Sequence, residues 1–141
     1  MKKLVLSSLV LISSLFAEYS EVTVYKSPTC DCCHKWIEYM EQNGFKVKAV
    51  EDQSMDFVKR YNGVTPQLSS CHTAIVDGYV VEGHVNASDV KKMLDTKPDI
   101  KGLTVPGMPL GSPGMEYGKH KQEYDVLAIE KDGSTTVFSK H

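Results

Sequence analysis

Apolar residues recur along the chain in two rhythms, one of period two and one of period 3.6. Val22 to Tyr25 is a β-branched and aromatic run that stops at Ser27 and Pro28, which predicts a strand. Cys33, Trp36, Ile37 and Met40 then fall at i, i+3, i+4 and i+7, the spacing of an amphipathic helix, and Asn43-Gly44 ends it. Phe45, Val47 and Ala49 alternate with Lys46 and Lys48, as in a half-buried strand over 45–50. Ser54 is placed to cap a second helix, with Asp56 in its first turn and Phe57, Val58 and Tyr61 as its apolar face, ending at Asn62-Gly63.

Thr73 to Val76 and Tyr79 to Glu82 flank Asp77-Gly78, a pair that tolerates positive φ and so predicts a tight hairpin. Asn86, with Asp89 three residues on, opens a third helix carrying Val90, Met93 and Leu94 and closed by Pro98. The order β-α-β-α-β-β-α is that of an α/β, thioredoxin-like domain. Residues 102–118 break the rhythm: they hold five of the ten glycines and three of the six prolines, and no helix or strand is expected there. Within them the unit Pro-Gly-Met-x-x-Gly occurs twice, from Pro106 and again from Pro113. Long structureless loops in compact domains are usually functional or disordered. Tyr124 to Glu130 and Thr135 to Ser139 bracket Asp132-Gly133 as a last hairpin.

A length of 141 residues fits one domain, and 41% hydrophobic with 24% charged residues is enough apolar material for a core. The formal charge is -2, with no basic footprint for nucleic acid. The start changes the picture. Met1-Lys2-Lys3 is cationic, Leu4 to Phe16 is mostly apolar, and Ala17 is a small residue before the polar run Glu18-Tyr19-Ser20. This is the layout of a secretory signal over 1–17, removed to leave a single domain over 18–141 with no membrane span, since the apolar run is shorter than the roughly 20 residues a span needs. A Lys-led signal suits a bacterial periplasm or cell exterior, where disulfides are permitted.

Cys30, Cys32 and Cys33 stand between the first strand and the first helix, where a helix N-terminus exposes N–H groups and promotes thiol ionisation. Cys30 and Cys33 have Cys-x-x-Cys redox spacing, and Cys32 is a third sulfur that a dithiol enzyme does not need. Cys71 precedes the strand Thr73 to Val76, which in a thioredoxin-like fold begins beside that helix, so four sulfurs converge. Four chemistries remain open on spacing alone: a soft metal such as copper, dithiol redox, two structural disulfides, or a single zinc ion. His34, His72 and His84 are each placed to reach the site, and Met108 and Met115 offer soft thioethers in a loop with little core to fill. Met40 and Met93 fall on apolar helix faces and read as core.

Cys30-Asp31-Cys32-Cys33, Ser70-Cys71-His72-Thr73-Ala74, Glu82-Gly83-His84-Val85 and the stretch from Val105 to Glu116 together resemble the small bacterial periplasmic copper proteins of the CopG type, formerly known as a domain of unknown function. Asn86 replaces the proline that usually follows the Gly-His-Val motif. The resemblance implies a thioredoxin-like fold and a Cu(I) cluster, multinuclear in form, held by Cys30, Cys32, Cys33 and Cys71, with His72, His84, Met108 and Met115 as further metal-site residues. It also implies copper resistance in company with other periplasmic copper-handling proteins, and oxidoreductase activity between Cu(I) and Cu(II). The alternative is a thiol-disulfide oxidoreductase that uses Cys30 and Cys33, with Cys71 as resolving thiol.

Overall fold

The computed structural model describes residues 19–141, so the segment read as an export signal over 1–17 lies outside the described residues. The chain runs β1 (Val22–Lys26), α1 (Asp31–Gln42), β2 (Val47–Glu51), α2 (Met55–Tyr61), a 3-10 turn (Pro66–Leu68), β3 (Thr73–Val76), β4 (Tyr79–Glu82), α3 (Ala87–Thr96), β5 (Gly102–Thr104), β6 (Asp125–Ile129) and β7 (Thr135–Lys140). The strands form one mixed sheet in the order β2-β1-β3-β4-β5-β6-β7. β1 is parallel to β2 and antiparallel to β3, with Tyr25 opposite Thr73, and β3 and β4 form the hairpin around Asp77-Gly78. β5 runs parallel to β4 and antiparallel to β6, and β6 pairs with β7 across a register shift at Val126/Leu127.

Side chains alternate along each strand, which gives the sheet two different faces. Val22 and Val24 of β1, Ala74 and Val76 of β3, Val81 of β4 and Val126 and Ala128 of β6 join Trp36, Met40, Val90 and Met93 of α1 and α3 in the main core. Each fully buried valine or methionine among them contributes about 1.5–3 kcal/mol. Ile75, Val80 and Ile129, their neighbours by one residue, meet Val64 and Leu68 in a smaller cluster. Glu82 shares the parity of Val80, and Thr73 that of Ile75. Both are fully buried, and Glu82 pairs with Lys59 of α2 at 2.5 Å.

Four local expectations are corrected. α2 turns Val58 and Lys59 inward, while Phe57 and Tyr61 are 61% and 80% exposed, because the buried Glu82 carboxylate needs a cation on that side. Ser54 and Asn86 occupy N-cap positions, yet neither side chain caps its helix. The Asn86 Oδ1 instead accepts a hydrogen bond from the Tyr124 hydroxyl at 2.9 Å, and the Ser54 N–H donates to Asp52 Oδ1 at 2.7 Å. The stretch 102–118 does contain a strand, β5. Its opening glycine disguised it: Gly102 lies directly against the Val80 backbone, where any Cβ would overlap main-chain atoms, so only glycine admits the pairing.

Candidate metal centre

The centre is built where β1 hands over to α1. β1 ends at Lys26, a turn is closed by the Cys30 N–H donating to the Ser27 carbonyl at 3.3 Å, and Cys30 takes the N-cap position of α1 in extended conformation. This puts Cys32 and Cys33 in the first helical turn, where unpaired N–H groups and the helix dipole favour negative charge. Cys33 faces the core and is fully buried, while Cys30, Cys32 and Cys71 are half-buried. The antiparallel register of β1 and β3 carries Cys71, two residues before Thr73, to the same place.

Cys30 and Cys33 are joined by a disulfide, and Cys32 and Cys71 are free thiols. Cys32 Sγ lies 3.6 Å from Cys30 Sγ, 3.6 Å from Cys71 Sγ and 4.0 Å from Met108 Sδ. All four cysteine sulfurs fall within 4.8 Å of one another. Of the four chemistries open on spacing, two structural bridges is the one this arrangement disfavours: one disulfide is present, and the remaining two thiols sit side by side unbonded.

A second donor set shares Cys71. Its sulfur lies 2.9 Å from His84 Nε2 and 3.2 Å from His72 Nδ1, and the three residues again fall within 4.8 Å. His84 is oriented from behind: its Nδ1–H donates to the Pro113 carbonyl at 2.7 Å, which leaves the Nε2 lone pair toward Cys71. His72 packs its ring on Trp36 with centroids 4.5 Å apart, and the Trp36 indole N–H donates to the Val85 carbonyl at 2.9 Å. His72 Nε2 is the one buried side-chain nitrogen or oxygen without a partner among the described residues. His34 is exposed, and its side chain pairs with Glu38 at 3.4 Å rather than with the cluster.

The electrostatics keep both imidazoles neutral. Burial holds the His72 pKa well below the usual value, helped by the repulsion a second proton would meet between His72 and His84 and by the Lys59 charge. Burial also lowers that of His84, against the Pro113 carbonyl and Glu116, which favour the cation. Burial together with the neighbouring Cys32 pushes the Cys71 thiol up to about 12. A metal ion entering here must displace the Cys71 proton, while the histidine lone pairs are already free. Up to four thiol sulfurs, one thioether and two neutral imidazoles are a donor set suited to a soft, thiophilic ion.

The two halves of the Pro-Gly-Met repeat do different things. Gly107 is tied to the segment before Cys71: its N–H donates to the Ser69 carbonyl at 3.0 Å and its carbonyl accepts from the Ser70 hydroxyl. That anchor leaves Met108 51% exposed with its sulfur over Cys32. Ser112 to Met115 is buried instead, with Gly114 at φ +86° packed against α1. Met115, expected as a second thioether near the metal, is 8% exposed, and no sulfur contact joins it to the cluster.

The comparisons with known proteins fit this geometry. Two solved structures, "Copper resistance protein copG- Form 2" and "Copper resistance protein copG- Form 1", are 40% identical to this sequence with TM-scores of 0.84 and 0.83. Both alignments cover 88% of this chain, and they cover 99% and 98% of those chains. The chain belongs to the CopG copper resistance protein family. The family described as "Protein of unknown function, DUF411" matches residues 68–115, which run from before Cys71 to Met115. No curated protein matches the sequence.

Three parts of the CopG-type site escaped the sequence reading: the Trp36 floor under His72, the Pro113 carbonyl behind His84, and the Lys59–Glu82 pair beneath Cys71. Only the last left a trace in the sequence, as a carboxylate ending the apolar run Tyr79-Val80-Val81.

Proposed function

We propose that this protein is an exported, thioredoxin-like copper-handling protein that takes Cu(I) as its cargo on Cys30, Cys32, Cys33 and Cys71. Export rests on the signal-like segment over 1–17 and the single-domain reading on 18–141, and no described helix is long and apolar enough to cross a membrane. The thioredoxin-like reading is supported by the β2-β1-β3-β4 order, with β1 and β2 parallel and the others antiparallel. One observation carries the copper reading: Cys32, the sulfur that a Cys-x-x-Cys enzyme does not require, stands 3.6 Å from both Cys30 and Cys71. With the Cys30–Cys33 disulfide reduced, four thiolates bridge more than one Cu(I), and Met108 and the His72/His84 pair complete the shell. Copper resistance is the role named for the CopG proteins, and other periplasmic copper-handling proteins are the partners this cargo calls for. A sulfur face and an imidazole face meeting at Cys71 also suit interconversion of Cu(I) and Cu(II).

The Cys30–Cys33 disulfide itself favours a second reading, thiol-disulfide exchange, with Cys71 as resolving thiol. Cys32→Ser separates the two, because it leaves the exchanging pair intact. In anaerobic titrations of fully reduced protein, the copper reading predicts more than one Cu(I) per chain in the wild type and fewer in Cys32→Ser. Unchanged loading in the variant, or less than one Cu(I) per wild-type chain, overturns it and leaves dithiol chemistry.

A further inference from the structure

Lys59 and Glu82 place opposite charges under the sheet with side chains only 10% and 0% exposed, an arrangement that on its own rarely stabilises a fold against an apolar pair of the same size. The carboxylate is fully engaged. Glu82 Oε1 accepts the Ser70 backbone N–H at 2.7 Å and the Lys59 ammonium at 2.5 Å, and Oε2 accepts the Thr73 hydroxyl at 2.6 Å. Lys59 Nζ also donates to Thr73 Oγ1 at 3.3 Å. Ser70 and Thr73 are the residues immediately before and after Cys71-His72, so one carboxylate grips the chain on both sides of two candidate ligands. Glu82 is also two residues before His84, with Gly83 at φ +74° packed against the Ser70 side chain, so the same point fixes the third.

We infer that Glu82, neutralised by Lys59, is a positioning residue for the metal centre, a clamp that holds Cys71, His72 and His84 in ligating register from the opposite face of the sheet. This rests on the copper reading above. Side chains that orient ligands in this way typically change metal affinity by about 10- to 100-fold when removed. No atom of the pair needs to touch the metal.

The test replaces both charges with apolar groups of similar reach, Lys59→Met with Glu82→Leu, so that no buried charge is left alone. Anaerobic Cu(I) competition with a chelator is read on wild type, the double variant, Cys71→Ser and the triple combination. The expected result is a folded double variant with Cu(I) affinity about 10- to 100-fold lower, and a smaller additional loss when the pair is removed in the Cys71→Ser background, because one of the three clamped ligands is then already gone. Wild-type affinity in the folded double variant, or a loss of equal size with and without Cys71, overturns the clamp. If the double variant does not fold, Thr73→Val, which removes one arm of the clamp, takes its place in the same cycle: a loss of affinity that shrinks without Cys71 supports the clamp, and wild-type affinity or a loss independent of Cys71 overturns it. Failure of wild-type protein to hold Cu(I) would instead defeat the copper reading.

Discussion

Gly114→Ala is the perturbation that tests most sharply whether the second Pro-Gly-Met unit is seated on the metal centre. Gly114 has φ +86°, and a Cβ there would stand 3.0 Å from the Cys32 carbonyl oxygen, 3.0 Å from the Trp36 backbone nitrogen and 3.2 Å from His84 Nδ1. Left-handed backbone costs a non-glycine residue about 1–2 kcal/mol. Crowding into a packed site adds about 1–3 kcal/mol. Gly107 is the internal control: its φ is +71°, but a Cβ there meets nothing within 4 Å, so alanine incurs the backbone cost alone. The difference between the two variants therefore isolates the contact. Thermal melts of metal-free protein should show Gly114→Ala lower than Gly107→Ala by at least several degrees, at about 4 °C per kcal/mol for a chain of this size. Limited proteolysis should cut near residue 114 earlier in the first variant, as the Pro113 carbonyl is pushed off His84. Equal midpoints and equal cleavage would refute the seating of this loop on α1.

Met108→Leu should speed Cu(I) transfer to a chelator without moving the melting midpoint by more than about 2 °C, whereas Met115→Leu, a volume-conserving change in a packed site, should leave transfer unchanged and cost under about 1.5 kcal/mol. Stopped-flow transfer and thermal melts on both variants check this, and identical kinetics for Met108→Leu and wild type would count against a thioether contact. The lowered His72 and His84 pKa values give the metal-free protein a pH dependence. Above the ordinary histidine pKa near 6.5 both states are neutral and nothing is lost; as pH falls below it, the unfolded chain binds protons that the folded chain resists, so stability declines. Urea midpoints between pH 8 and 5 should fall in this direction, with a smaller fall in His72→Phe.

The hairpin Thr73–Val76 and Tyr79–Glu82 was legible to the residue, because Asp77-Gly78 fixes the turn and alternation fixes both strands. α1 was equally plain, since its apolar positions leave one possible face. What eluded the sequence depended on long-range partners. Gly102 reads as a breaker until the Val80 backbone lies against it, and Lys59 reads as solvent-facing until Glu82 is buried opposite. The pattern of α2 favoured Phe57 and Tyr61, but tertiary charge pairing decided which side turned in. At the site, the convergence of Cys30, Cys32, Cys33 and Cys71 followed from element order. The separate tasks of Met108 and Met115 did not, because two identical motifs carry no sign of which one is pinned by Ser69 and Ser70 and which is packed against α1.

X-ray absorption at the copper edge of the reduced, Cu(I)-loaded wild-type protein tests most directly whether the cysteine cluster holds Cu(I). A first shell dominated by sulfur, with copper–copper scattering from ions sharing bridging thiolates, is the predicted result. A first shell of nitrogen and oxygen without sulfur would contradict the account.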